Sequence, residues 1–132
     1  MLNNHSRLVE EWIIKARNDL KSVEILYREK GPSDTICFHC HQSIEKFIKA
    51  YLVAKNIHFE KIHSLWNLAK LCATKDKEFL NSEEELKLLD AYYIESRYPP
   101  EIKIYSRQEC KKVLKLTQEL TGFIVDKIEK IG

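Results

Sequence analysis

Apolar residues recur at the spacing of an α-helix along five segments of this 132-residue chain, and no strand-like alternation of useful length appears. Only three Gly and three Pro interrupt the pattern, and the charged fraction of 32% comes mostly from Lys and Glu, which are good helix formers. Short connections between amphipathic helices favour antiparallel packing. The sequence therefore predicts one all-α domain over residues 1–132, an antiparallel up-and-down helical bundle of four long helices plus one short helix.

Start and stop signals give the expected bounds of these helices. The first should run from Ser6 to Lys30 and stop at Gly31-Pro32, and the second from Ser33 or Asp34 to about Lys55, with Asn56 at its end. The third helix should begin after Ser64, which can cap it. The fourth begins with the capping box Ser82-x-x-Glu85 and stops at Pro99-Pro100, and the fifth begins with the capping box Ser106-x-x-Glu109.

Charge and cysteine content exclude several classes of protein. The formal charge is +2, from 22 basic and 20 acidic residues, so the whole molecule exerts no strong pull on nucleic acid or membrane. The first residues lack the apolar stretch of a signal peptide, and no run is long enough to span a membrane. The four cysteines do not form the pattern of a small secreted disulfide scaffold. We expect a cytoplasmic protein with reduced, buried thiols and no cofactor.

The segment from residue 37 to residue 53 is the helix with the most unusual polar side. Its apolar side has the spacing of a face packed against other helices. The opposite side combines imidazole, amide, acid and amine groups at helical spacing, in His39, Gln42, Glu45, Lys46 and Lys49. This mixture favours a binding surface over a merely solvated face.

Cysteine and histidine near the start of this segment raise the question of a metal site. Cys37, Cys40 and His41 have helical spacing that suits a partial site. A closed zinc site needs four ligands, however, and the other two cysteines are single residues. We therefore interpret the cysteines as core residues and His41 as a hydrogen-bonded core histidine, and we predict no metal site. His39, on the polar side, is the better functional candidate.

Arg97 lies on the inward stripe of the fourth helix, where an unpaired guanidinium is costly. In a structural interpretation it pairs with Glu45, with Asp90 or with carbonyls at its own helix end. In a functional interpretation it binds an anion such as phosphate, and Tyr98 offers a ring for stacking. His63, directly before the third helix, either caps that helix or meets an anion at its N-terminus.

Several of these motifs, taken in order, resemble the HEPN domain family in its small stand-alone prokaryotic form. They are Trp12 with Ala16, Asp19 and Leu20; H-Q-S-I-E-K-F-I-K-A-Y-L at 41 to 52; His63-Ser64-Leu65; and Arg97-Tyr98-Pro99. The resemblance implies a helical bundle, a homodimer, and an origin beside a minimal nucleotidyltransferase in a toxin-antitoxin or defence module. It also implies a nucleotide-binding role, or metal-independent ribonuclease activity through an Arg-x(4 to 6)-His motif.

The ribonuclease motif is absent from this sequence. Counted from Arg97, the histidine would fall at Ile102, Lys103 or Ile104, and the other arginines also lack one at that spacing. Without the imidazole, the family's usual means of proton transfer is missing. We expect a noncatalytic protein that binds a nucleotide-like ligand or a nucleotidyltransferase partner, with candidate ligand-binding residues Arg97, Tyr98, Gln42, Glu45, Lys46, Lys49, His63 and His39. The alternatives are a ribonuclease toxin, which would bind RNA through Arg97 and His39 or His63, and a structural helical adaptor.

Overall fold

The computed structural model describes residues 4–97, 99 and 103–131, with the side chains of Asn4, His5, Ser96 and Arg97 left out. The described residues form five α-helices, one 3-10 helix and no strand. The α-helices are α1 (Asn4–Arg28), α2 (Ser33–Ala54), α3 (Leu65–Cys72), α4 (Glu83–Arg97) and α5 (Arg107–Glu129), with the 3-10 helix at Lys77–Ser82. The predicted all-α bundle of four long helices and one short helix is confirmed.

Helix α2 is the centre of the bundle. It packs against α1, α3, α4 and α5, so side chains on almost every side of it are buried. Its apolar residues form much of the core, together with Leu65 and Leu68 of α3, Leu89 of α4 and Val113 of α5. A helix surrounded in this way cannot keep a solvated polar side. The polar residues of α2 therefore do not lie on the solvent-exposed face that their spacing suggests.

The caps at three helix ends agree with the sequence. Ser64 Oγ accepts a hydrogen bond from Asn67 N at the start of α3, and Ser106 Oγ accepts one from Glu109 N at the start of α5. Asn56, after the end of α2, adopts the left-handed conformation with φ 57°. Its N–H donates to Val53 O and the next N–H donates to Leu52 O, the pattern of a Schellman motif.

Two boundaries differ from the expectation. Helix α1 ends at Arg28, and Lys30, not Gly31, takes the left-handed conformation, with φ 58°. Gly31 is needed for a different reason, because a Cβ there would lie 2.8 Å from Leu26 Cδ2. The 3-10 helix before α4 was not predicted. Asp76 caps it by accepting a hydrogen bond from Glu78 N.

None of the helices in the described part of the chain has the length and apolar character needed to cross a membrane.

Candidate functional site

Asp90 on α4 joins α4 to α2 and to the beginning of α3. Its Oδ1 accepts hydrogen bonds from His41 Nε2 at 3.0 Å and from Leu65 N at 2.8 Å. Its Oδ2 accepts from Ser64 Oγ at 3.1 Å and from Trp66 N at 3.2 Å. Burial opposes ionisation of this carboxyl, but the hydrogen bonds from His41 and from the two backbone N–H groups outweigh it and lower the pKa of Asp90. Asp90 is thus an ionised cap for the first turn of α3.

His41 is the buried partner of Asp90. Its side chain is fully enclosed, and its Nδ1, on the opposite side of the ring from Asp90, lies 3.2 Å from Gln42 Oε1. The interpretation of His41 as a hydrogen-bonded core histidine is confirmed.

Glu45 and Lys49, one turn apart on α2, form a buried ion pair. Lys49 Nζ lies 2.8 Å from Glu45 Oε2, and the two residues are only 8% and 5% exposed. The amine also lies 5.6 Å from the ring centroid of Trp12 on α1 and 5.7 Å from that of Phe59, which comes from the connection between α2 and α3. His63, from the same connection, places Nδ1 3.5 Å from Glu45 Oε2. The polar side of α2 is therefore covered at this end.

One oxygen of the Glu45 carboxylate has no hydrogen-bond partner among the described residues. This atom, Oε1, is buried, and it lies 3.9 Å from His41 Nδ1. Buried acceptors are rarely left in this state, because they have given up their hydrogen bonds to water.

A series of rings lies beside this cluster. Tyr93 of α4 stacks on His41 with 4.0 Å between centroids, on Phe38 with 5.5 Å, and more distantly on His63 with 6.4 Å. Because Asp90 contacts His41 while Tyr93 contacts Phe38, α4 runs antiparallel to α2. Arg97, the last residue of α4, is one helical turn beyond Tyr93.

The remaining candidate residues are placed as follows. Lys46 forms an ion pair with Asp19 of α1, at 2.5 Å between Nζ and Oδ2. His39 is half-buried, and its ring lies 5.2 Å from that of Phe38. Only the helical position of Arg97 is described, and Tyr98 lies outside the described residues. The structure thus brings His41, Lys49 and His63 together around Glu45, and Gln42 contacts His41.

The cysteines are buried free thiols, as predicted. Burial raises the pKa of Cys37, and it raises the pKa of Cys40 to about 12, so both thiols are protonated at neutral pH. Within the described ranges, no group of three or more His, Cys, Asp or Glu side chains has an arrangement that could hold a metal ion.

Sequence analysis missed the capping role of Asp90 and the stacking role of Tyr93. The sequence singles out Asp90 only as a partner for Arg97, and it does not single out Tyr93. A signal for the first was present, since an acidic residue directly follows the buried Leu89 on a helix that must pack near the polar start of α3. No local signal pairs it with a helix that begins 25 residues earlier.

A five-helix bundle with a polar, ring-lined surface on its central helix defines the class of protein. The chain belongs to the HEPN domain family, whose model matches residues 9–128.

Two solved structures share the fold. ST0689, an archaeal HEPN homologue, has a TM-score of 0.74 and 19% identity, with 91% of this chain and 97% of that chain covered. TT1696 from Thermus thermophilus has a TM-score of 0.75 and 26% identity, with 90% and 97% covered. Among curated proteins, none matches this chain in sequence.

Proposed function

We propose that this chain is a noncatalytic HEPN-type protein that binds a nucleotide-like ligand, a minimal nucleotidyltransferase partner, or both, within a toxin-antitoxin or defence module. The observation that carries the nucleotide-binding proposal is the series of rings between α2 and α4. Phe38 and Tyr93 are half-buried and His63 is exposed, so ring faces remain near the surface beside the last turn of α4. Aromatic faces next to a cation are a general means of binding a base and its phosphate.

The ion pairs of the described residues support Arg97 as the phosphate contact in this proposal. Lys46 and Lys49 were candidates for this contact, but both amines are held in ion pairs with Asp19 and Glu45. A ligand phosphate would have to displace a carboxylate from either of them. Arg97 holds the phosphate in this proposal, and His39 contributes from the first half of α2. Tyr98, which lies outside the described residues, remains a candidate for stacking.

Calorimetry with nucleoside triphosphates tests this proposal. The wild-type protein should bind, and Arg97→Ala should weaken binding about tenfold or more, which corresponds to the loss of one charge-assisted contact. Arg7→Ala is the matched control, because Arg7 is exposed in the first turn of α1. This variant should bind like the wild type. Equal binding by all three proteins would remove Arg97 from the site.

The partner proposal is tested by co-expression with a minimal nucleotidyltransferase encoded beside this chain. Co-elution of the two proteins without added nucleotide would favour the partner, or adaptor, function over ligand binding. Independent elution of the two proteins at micromolar concentration would contradict it.

We also propose that the protein forms a homodimer. Support comes from three large apolar side chains that α1 leaves exposed, Leu8 at 44%, Ile14 at 56% and Ile25 at 40%. Sedimentation velocity should report a dimer that Ile14→Lys weakens. Ile104→Lys, at a site 84% exposed outside the helices, serves as the control.

A ribonuclease function remains the second candidate because of one contact. His63 is more than half exposed, and the buried carboxylate of Glu45 lies next to its Nδ1, an arrangement that can orient an imidazole for proton transfer. Incubation of the purified protein with total RNA tests it. Cleavage that is lost in His63→Ala or His39→Ala would overturn the noncatalytic proposal.

A further inference from the structure

The buried oxygen Glu45 Oε1 identifies the kind of chemical group that is missing from this cluster. The other oxygen of the same carboxylate, Oε2, is contacted by Lys49 and His63, whereas Oε1 accepts no hydrogen bond from the described residues. The side chain is 7% exposed. A carboxylate oxygen accepts hydrogen bonds and donates none, so only a group bearing N–H or O–H can satisfy it.

Charge excludes the phosphate of a ligand from this position. Glu45 and Asp90 place two carboxylates around His41, and a phosphate oxygen next to Oε1 would be repelled by both. The rings of Tyr93 and His63 lie beside the same cluster and provide flat surfaces. A planar group with an N–H edge therefore fits this end of α2 better than an anion does.

The distance along the bundle fits a ligand with two chemically different ends. Arg97 follows Asp90 by seven residues on α4, a rise of about 10 Å, and Glu45 follows His41 by four residues on the antiparallel α2, a rise of about 6 Å in the opposite direction. The helical positions of Glu45 and Arg97 are thus separated by about 16 Å along the bundle. A nucleotide together with an arginine side chain spans such a separation.

We propose that Glu45 is the specificity-determining residue of the ligand site, and that its Oε1 accepts a hydrogen bond from the amino group of a nucleobase whose phosphates are directed toward Arg97. This inference rests on the proposed nucleotide binding. In this proposal the ring of His63 moves to admit the base, and this ring is suited to do so, because its side chain is 58% exposed and its contact with Oε2 is long, at 3.5 Å. The nucleobase then takes the place of the His63 ring beside Tyr93.

Calorimetry with two matched pairs of nucleotides tests the proposal on the full-length protein. ATP and purine riboside triphosphate differ only in the 6-amino group, and GTP and ITP differ only in the 2-amino group. In at least one pair the wild-type protein should bind the amino-bearing nucleotide about tenfold more tightly, a typical consequence of leaving a buried acceptor unpaired. In Glu45→Gln the preference should fall to within about twofold, while Glu10→Gln, at an exposed position of α1, should keep it.

The possible results distinguish a failure of this inference from a failure of the proposed nucleotide binding. If the wild-type protein binds no nucleotide, the proposed function and this inference both fail. If it binds but shows no preference within either pair, or if Glu45→Gln keeps the preference, nucleotide binding stands and the role of Glu45 is refuted. The wild-type comparison needs no variant, so the inference stays falsifiable even if Glu45→Gln does not fold, which thermal unfolding followed by circular dichroism would reveal.

Discussion

Asp90→Ala removes the carboxylate that links α4 to α2 and to the first turn of α3. Four hydrogen bonds end on this side chain, and one of their donors, His41 Nε2, belongs to a fully enclosed ring. The substitution leaves that donor without an acceptor in a place that water does not reach. It also uncovers the N–H groups of Leu65 and Trp66, although Ser64 continues to cap the N–H of Asn67.

The expected loss in the free energy of unfolding is about 3 kcal/mol. Loss of a helix cap costs about 1 kcal/mol, and a buried donor left unpaired costs roughly 1–3 kcal/mol. For a domain of this size, 1 kcal/mol corresponds to about 3–4 °C, so the melting temperature should fall by about 10 °C. The change is large compared with the stability of an ordinary domain, about 5–15 kcal/mol.

Urea unfolding monitored by the circular dichroism of the helices measures this loss. Asp126→Ala is the matched control, because Asp126 pairs with Lys130 at 3.0 Å on the surface of α5, where such pairs contribute about 0.5 kcal/mol. A loss below about 1 kcal/mol for Asp90→Ala, or equal losses in the two variants, would refute the assignment of Asp90 as the buried cap.

Three further predictions concern stability. Lys30→Gly should raise the free energy of unfolding by about 1 kcal/mol in the same urea assay, since Lys30 has φ 58° and glycine adopts this conformation without strain; an unchanged midpoint would contradict this. Lys49→Met should lower it by about 3 kcal/mol, because it leaves the Glu45 carboxylate buried without its main partner, and an unchanged free energy of unfolding would refute the assignment of this buried ion pair. The third prediction concerns pH, because the folded-state pKa of Asp90 lies below its ordinary value of 3.8. The contribution of Asp90 to the free energy of unfolding is therefore present above about pH 4 and is lost as the pH falls through the lower folded-state pKa. The melting temperatures of wild type and Asp90→Ala should converge in acid, and a constant difference down to about pH 2 would refute this.

The helices could be predicted from the sequence because their signals are local. Ser106-x-x-Glu109 and Asn56 mark helix ends through contacts within a few residues, and both act as expected. The 3-10 helix at Lys77–Ser82 has no apolar periodicity of its own, and it forms where Phe79 enters the core. Helix α1 ends at Arg28 and its left-handed residue is Lys30, whereas Gly31 packs closely against Leu26. The sequence pattern does not distinguish such close packing from a helix stop.

The candidate site was only partly predictable because its burial depends on distant segments. Glu45 and Lys49 have the spacing of an exposed ion pair, and they are buried because Trp12 of α1 and Phe59 and His63 from the connection after α2 lie against them. The partner of His41 is 49 residues away in sequence. Residue types and helical faces could be read from the chain, whereas these pairings arise only when the bundle closes.

The central position of α2 has a consequence for amide hydrogen exchange. A helix enclosed by the four other α-helices cannot open without separating them, so its amides should exchange only through global unfolding and should be the slowest in the chain. The residues proposed to contact ligand from α2 therefore stand on the part of the protein that fluctuates least. In the proposed binding, little free energy would be needed to order the backbone of α2, and the motion that admits the ligand would be confined to the connection that carries His63.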